Sequence, residues 1–204
     1  MAENESKKAT ERALIDYSSY GKVDKVRSIL EENPDINVNV KNANGWTPLM
    51  RACMGNHVQV AIELMKNEKL DINEKNQNQK TAFYIACKYR ASEVVKLMLI
   101  RDDLDVNCTS FNGWTGLMYA SYCGYLEIVQ AVLGSKFSVE VDTQNMYGKT
   151  AIDYAREYHQ NETVELLESF LRDPIKVKME LRILLGHAGK KFFNFFAFNF
   201  FLLL

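Results

Sequence analysis

The sequence of 204 residues has few of the residue types that build reactive or cross-linked sites, with three prolines, three histidines and four cysteines. His57, His159 and His187 are far apart, and no two cysteines have the CxxC spacing of a metal or redox site. The four cysteines could still form two disulfides or one metal site. We interpret them instead as small buried thiols, and we predict neither a metal nor a cofactor.

The sequence also has almost no net charge, −1 at pH 7, because it contains 25 basic and 26 acidic side chains. Nucleic acid and anionic membrane are therefore not expected as electrostatic partners. Neither GxGxxG nor GxxxxGK followed by Ser or Thr occurs, and no histidine is placed to serve a nucleophile, so we predict no catalytic residues and no small-molecule substrate. Residues 1–11, MAENESKKATE, are interpreted as a polar, mobile leader rather than a secretory signal.

An internal repeat is the strongest feature of the sequence. NGWTPLMRA at 44–52 recurs as NQKTAFYIA at 78–86, NGWTGLMYA at 112–120 and YGKTAIDYA at 147–155. The threonines of these copies are separated by 34, 34 and 35 residues: Thr47, Thr81, Thr115 and Thr150. A period in this range is typical of a solenoid, in which similar units stack along one axis.

Each unit shows two short helical patterns and a polar turn. The threonine is placed to cap the first helix, because its hydroxyl can accept a hydrogen bond from a free backbone N–H. An alanine recurs in every copy where neighbouring helices are expected to approach closely: Ala52, Ala86, Ala120 and Ala155. A short polar residue recurs eight positions before each threonine: Asn39, Asn73, Asn107 and Asp142.

This pattern resembles the ankyrin repeat, whose family form is approximately D-x-x-G-x-T-P-L-H-x-A, followed by a turn and a second helix. The best match is the stretch 42–73, where Gly45, Thr47, Pro48 and His57 fit the family positions. At such a position His57 is expected to tie a helix end to a turn.

The resemblance implies an all-α fold, namely an ankyrin-repeat solenoid of stacked helix-turn-helix units with short hairpin-like turns. It covers about residues 12–171, in five units of approximately these bounds: 12–41, 42–75, 76–109, 110–144 and 145–171. Later units depart from the family form, with Gln79 in place of the turn glycine and Gly116 in place of the proline.

In ankyrin proteins the concave face, formed by the hairpin-like turns and the first helices, usually binds another protein. The family's exposed positions, carried over residue by residue, predict these partner-binding side chains: Tyr20, Trp46, Met54, Lys88, Tyr89, Phe111, Trp114, Tyr122 and Tyr158. The two tryptophans have an alternative role, which is to stack on neighbouring turns and hold them rigid. For Tyr20, Tyr89 and Tyr122 the alternative is an amphipathic rim, apolar below and hydrated at the hydroxyl.

Residues 172–191 are interpreted as a capping helix or a linker after the last unit. Asp173 and Pro174 resemble the start of a helix, and Gly186 resembles its end. The strict alternation of apolar residues from Ile175 to Ile183 argues for a strand instead. We favour the helix because a helical array needs a cap on its last unit.

Residues 192–204 form a separate, phenylalanine-rich tail. Thirteen residues are too few to span a bilayer, which takes about 20. Three interpretations stay open: an interfacial anchor behind Lys190 and Lys191, a segment that packs on the last repeat, and translated AT-rich spacer sequence.

From these features we predict a non-enzymatic protein–protein interaction module, a scaffold that binds a protein or peptide in the cytoplasm or the nucleus. One alternative is a membrane-associated scaffold, with membrane contact only through residues 192–204. Another is a recruiting fragment of a larger signalling protein. The repeat does not name the partner, since a fold alone does not determine function.

Overall fold

The computed structural model describes the backbone of residues 2–186 and the side chains of residues 5–186. The helices follow in this order: α1 (Ala2–Ser19), α2 (Val23–Glu32), α3 (Pro48–Met54), α4 (Val58–Met65), α5 (Ala82–Lys88), α6 (Ser92–Met98), α7 (Gly116–Cys123), α8 (Leu126–Leu133), α9 (Ala151–Glu157), α10 (Asn161–Arg172) and α11 (Pro174–Leu184). Because these residues contain no strand, the predicted all-α fold is confirmed.

The repeated threonines begin the first helix of each of the last four units. Each hydroxyl accepts a hydrogen bond from the backbone N–H three residues further along, at 3.3 Å for Thr47, 3.2 Å for Thr81, 3.1 Å for Thr115 and 3.4 Å for Thr150. The bond satisfies one of the N–H groups that a helix leaves free in its first turn. The predicted capping role of these threonines is confirmed.

The units stack in two layers of helices. The first helices α1, α3, α5, α7 and α9 pack each on the next, and the second helices α2, α4, α6, α8 and α10 do the same. Between the layers lie fully buried side chains such as Leu49, Phe83 and Ile128. The repeated alanines have no exposed surface, which fits their predicted place at a close approach of neighbouring helices.

The recurring asparagines bond one unit to the loop of the next. The amide nitrogen of Asn73 donates to the carbonyl oxygen of Asp103 at 2.6 Å, and its amide oxygen accepts from the backbone N–H of Asp105 at 2.9 Å. Asn39 and Asn107 make the equivalent pairs of bonds. We call Asn39, Asn73 and Asn107 the asparagine ladder, and it ties four successive units together.

His57 has the structural role that the resemblance implied. Its Nε2 lies 3.0 Å from the carbonyl oxygen of Ser19, so this nitrogen carries the proton and donates, joining the start of α4 to the end of α1. The ring is flanked by Gly21 and Gly55, where a Cβ would lie 2.6 Å and 2.2 Å from ring nitrogens. A side chain at either glycine would displace the histidine.

The amino-terminal end differs from the prediction of a mobile leader, because α1 is already helical from Ala2. No glycine or proline interrupts residues 2–19, and their alanines, glutamates and lysines favour a helix. Leu14 and Ile15 are buried and anchor this long helix against α3. The helix α1 therefore begins before residue 12, and residues 5–9 lie exposed on it.

The segment after the last unit is the helix α11, in place of the strand that its alternating residues favoured. The Asp173 side chain accepts from the backbone N–H of Lys176 at 3.0 Å and caps the first turn. Val177 and Leu181 are buried, and α11 packs on α8 and α10. Since four residues make about one helical turn, a helix places both side chains on one buried face.

The prediction of a phenylalanine-rich tail at residues 192–204 lies outside the described residues, as does any membrane contact through it. Within residues 2–186, none of the helices combines the length and the apolar composition that crossing a bilayer requires.

Candidate functional site

Six aromatic side chains from three successive units contact one another on the side formed by the hairpin-like turns and the first helices. We call this set the aromatic cluster: Tyr84, Trp114, Tyr119, Tyr122, Tyr154 and Tyr158. Trp114 directly precedes the capping threonine of α7, and Tyr119 and Tyr122 follow on that helix, three residues apart. Residues with this spacing lie on one side of a helix, so α7 places both rings beside the tryptophan.

The shortest ring contacts cross the boundary between the fourth and fifth units. The ring centroids of Trp114 and Tyr154 are 4.2 Å apart, and those of Tyr122 and Tyr158 are 4.3 Å apart. Trp114 also lies 5.8 Å from Tyr119 and 5.9 Å from Tyr122. Aromatic pairs with this spacing each contribute about 0.5–1.5 kcal/mol beyond the area they bury.

Basic side chains lie over several of these rings. The Lys80 ammonium is 5.4 Å from the ring centroid of Tyr84, and the Lys88 ammonium is 5.3 Å from that of Tyr119. The Lys88 ammonium also lies 5.6 Å from the Tyr89 ring. Cations at this distance are attracted by the negative face of the ring, which holds the two ammonium groups at the edge of the cluster.

Two further cations continue this arrangement at either end. The Arg51 guanidinium lies 4.6 Å from the ring centroid of Trp46. The Lys149 ammonium lies 5.6 Å from that of Tyr154, and it also forms an ion pair with Glu157. Each of the units from the second to the fifth thus has an aromatic ring that is covered by a cation.

The ionisation of these groups reflects burial and crowding. Burial lowers the pKa of Lys80, and the nearby positive charge of Lys88 lowers it further. The pKa of Tyr119 is raised by burial, and that of Tyr122 is raised mainly by Tyr158. These tyrosines keep their protons at neutral pH and can donate hydrogen bonds to a partner.

The structure brings together five of the nine predicted partner-binding residues. Trp114, Tyr122 and Tyr158 belong to the aromatic cluster, and Lys88 connects Tyr89 to it. Tyr89 and Tyr158 are 44% and 45% exposed, which leaves ring surface available to a partner.

The other four predicted residues lie apart from the cluster. Trp46 and Met54 are half-buried and pack against the hydrophobic core. Phe111 is 79% exposed at a hairpin-like turn, and Tyr20 is 71% exposed at the end of α1. Tyr20 lines an open groove of about 810 Å³ together with Arg51 and the turn of the second unit.

The contacts of Trp114 differ in part from the alternative role of stacking on a neighbouring turn, because Tyr154 lies on the helix α9. Its ring packs on Tyr154 of the following unit, so it holds two units together whether or not a partner is bound. Trp46 instead covers Arg51 of its own unit. Partner binding by either tryptophan stays a prediction.

Some residues of the aromatic cluster and of the cations beside it were not among the partner-binding residues predicted from the sequence. Tyr119 and Tyr154 both stand four residues after a capping threonine, and Arg51 has the same position in the second unit. Lys80 and Lys149 stand directly before a capping threonine, where two other units have tryptophan. Comparing the units position by position would have found the column of Arg51, Tyr119 and Tyr154, whereas the column of Lys80 and Lys149 is one of the exposed positions of the family form.

The four cysteines are free thiols, and three of them are buried. Burial raises the pKa of Cys53 and Cys87, and it raises that of Cys108 to about 12. Thiols in this state stay protonated and are poor nucleophiles at neutral pH. Within residues 5–186, no group of three or more His, Cys, Asp or Glu side chains is arranged to hold a metal ion.

The stacked helix pairs, the capping threonines and the asparagine ladder define an all-α solenoid of repeated units. The family model for ankyrin repeats (3 copies) matches residues 14–110 and 93–174. The chain therefore belongs to the ankyrin-repeat family, as its sequence predicted. A comparison with curated proteins gave no match. Ankyrin repeats generally mediate protein–protein interaction, and the family is typically non-enzymatic.

Proposed function

We propose that this protein is a non-enzymatic interaction module that binds a protein or peptide along its concave face. The observation that carries the proposal is the aromatic cluster, which spans three units on the side of the hairpin-like turns and first helices. Rings held by one another lose little conformational freedom on binding, so they suit the role of rigid anchors.

The exposed part of this surface has the composition of a binding site. Tyr89, Phe111 and Tyr158 present apolar rings to solvent, and the Lys88 ammonium lies over the Tyr89 ring. Aromatic residues dominate the binding energy of many interfaces, and a single anchor can contribute about 2 kcal/mol or more. We assign the contact to these exposed residues first, because substituting them disturbs the packing of the array least.

The wider role we propose is that of a scaffold in the cytoplasm or nucleus that recruits its partner without chemical change. The near-balance of charge, 25 basic against 26 acidic side chains, favours a protein partner over nucleic acid. The membrane-associated alternative rests on residues 192–204 and stays a prediction from sequence.

Site-specific cross-linking tests the proposal. A photo-reactive phenylalanine analogue replaces Tyr89, Tyr158 or Ile100 in the full chain, and each variant is irradiated in a lysate of the source cells. Ile100 is a matched control because it is 70% exposed but follows the second helix α6. We expect one protein to be cross-linked from positions 89 and 158 and not from position 100.

The second arm measures capture of that protein by Tyr89→Ala combined with Phe111→Ala, compared with Ile100→Ala. We expect loss of capture only in the first variant, with both variants equally folded by circular dichroism. Equal cross-linking from all three positions, or capture that the double substitution does not reduce, would show that the concave face is not the binding surface.

A further inference from the structure

Ion pairs neutralise many of the basic side chains outside the concave face. The Arg27 guanidinium lies 3.0 Å from the Glu63 carboxylate of the next unit, and the Lys96 ammonium lies 2.6 Å from that of Glu127. Arg101 pairs with Asp103 in the same way, at 2.6 Å. These cations have their counter-charge within the chain.

Three basic residues of the concave face have no carboxylate partner among the described side chains. Among the described side chains, no carboxylate forms an ion pair with Arg51, Lys80 or Lys88. All three are half-buried, and each lies over an aromatic ring of the second, third or fourth unit. They are therefore held in place, partly shielded from water, without an anion.

Two of these positive charges, those of Lys80 and Lys88, also repel each other. The positive charge of Lys88 adds to burial in lowering the pKa of Lys80, so the two ammonium groups are close enough to repel. A carboxylate bound beside either ammonium group would stabilise its charged form. The positive charges of this surface therefore favour the binding of an anion.

Apolar contact surface begins directly beside these cations. Lys88 lies 5.3 Å from the Tyr119 ring, and Tyr119 lies 5.7 Å from Tyr122 within the aromatic cluster. The exposed rings of Tyr89 and Tyr158 flank this region. A ligand that contacts both parts must carry a carboxylate and a large apolar side chain within a few residues of each other.

We propose that the concave face binds an acidic peptide segment of its partner, with carboxylates placed against Arg51, Lys80 and Lys88 and a neighbouring apolar side chain on the exposed rings of Tyr89 and Tyr158. The inference rests on the proposed function and adds the chemistry of the partner. Complementary charge would determine which partner binds and how fast it associates, while the rings supply much of the affinity.

The test selects phage-displayed random peptides on the full chain and on the double variant Lys80→Gln/Lys88→Gln. We expect the unmodified protein to enrich peptides in which Asp or Glu stands near Phe, Leu, Ile or Trp. A synthetic copy of an enriched peptide should bind the double variant about tenfold more weakly, and a copy with Gln for Glu and Asn for Asp should lose affinity for the unmodified protein to a similar extent.

The matched control is Lys66→Gln/Lys96→Gln, which removes two lysines that pair with glutamates on the second helices. We expect its affinity for the peptide to stay within about twofold, because rim and remote charges contribute little. Circular dichroism establishes that both double variants are folded.

The outcomes separate the inference from the proposed function. Enrichment of neutral or basic peptides whose binding requires Tyr89 would overturn the inference and leave the proposed function standing. If no peptide binds in a way that Tyr89→Ala or Lys88→Gln weakens, both are overturned.

Discussion

The asparagine ladder follows the second helices, whereas the concave face is formed by the hairpin-like turns and the first helices, and the polar groups of the two regions are satisfied in different ways. In the ladder, each amide bonds to backbone groups of the next unit, as Asn73 does to Asp103 and Asp105. On the concave face, Arg51 and Lys88 lie over aromatic rings and have no carboxylate partner among the described residues.

This difference indicates that the asparagine ladder serves mainly stability and the concave face mainly recognition of a partner. A polar group whose partners lie in the next unit stabilises the stack and offers little to a ligand. A half-buried cation without an anion contributes less to the stack, and it gains most when a ligand supplies the missing charge. The comparison therefore predicts that substitutions on the two sides will change different measured quantities.

Trp114→Ala is expected to have the largest effect. Because Trp114 contributes to packing and lies on the concave face, this substitution should change both stability and partner binding. The substitution removes a half-buried ring that packs on Tyr154 of the next unit and on Tyr119 and Tyr122. We expect the free energy of unfolding to fall by about 2 kcal/mol or more, measured by urea denaturation. Partner binding would fall as well.

The control for this prediction is Phe111→Ala, because Phe111 stands three residues earlier and is 79% exposed. Its free energy of unfolding should change by no more than about 0.5 kcal/mol. Equal effects of the two substitutions would mean that Trp114 does not join the fourth and fifth units.

Asn73→Ala is expected to have the next largest effect and to act on stability alone. It removes both hydrogen bonds of the Asn73 side chain to the loop of the third unit. We expect a loss of about 1–2 kcal/mol in the free energy of unfolding, with the affinity for an acidic peptide unchanged.

Asn78→Ala is the matched comparison, since this exposed asparagine contributes its backbone carbonyl to the next turn and that group survives the substitution. Its unfolding curve should overlay that of the unmodified protein. A similar loss in both variants, or weaker peptide binding in Asn73→Ala, would contradict the division between ladder and concave face.

The smallest effect concerns the paired carboxylate of Glu63 on the second helices. Hydrogen bonds from Arg27, and then from Lys66, lower the pKa of Glu63 in the folded protein. A lowered folded-state pKa means that the pair stabilises the protein above the unfolded-state pKa of about 4.3 and that this contribution is lost as the pH falls through the folded-state pKa. Acidification from about pH 5 to pH 3 should therefore destabilise the unmodified protein more than Glu63→Gln.

The expected difference between the two proteins is about 1 kcal/mol or less, measured as the free energy of unfolding at each pH. Asp35→Asn serves as the control, because the carboxylate of Asp35 pairs with Lys69 while 91% exposed. Parallel pH profiles for Glu63→Gln and the unmodified protein would rule out a stabilising role for this pair.

Much of the fold could be predicted because its signals are local and recur. The capping threonines and the small alanines act within one unit or between direct neighbours, and each appears four times in register. The segment at residues 174–184 was harder, because its alternating pattern favoured a strand. Burial of Val177 and Leu181 on one face, against α8 and α10, decided for the helix.

The candidate site was less predictable, because its members come from different units. Family positions identified Trp114, Tyr122 and Tyr158, but Tyr84 and Tyr154 join them only through the stacking of α5, α7 and α9. The pairing of charges was equally out of reach, since ion pairs such as Arg27–Glu63 and Lys96–Glu127 depend on which side chains meet across a unit boundary.

The sequence by itself determined the period, the helix caps and the family of this protein, because each of these is written in residues a few positions apart and repeated along the chain. Only the tertiary structure decided which rings touch and which cations lack a partner. The contacts that cross a unit boundary join residues about one repeat apart, as Lys88 and Tyr119 show, and they form only when packed helices bring neighbouring units together.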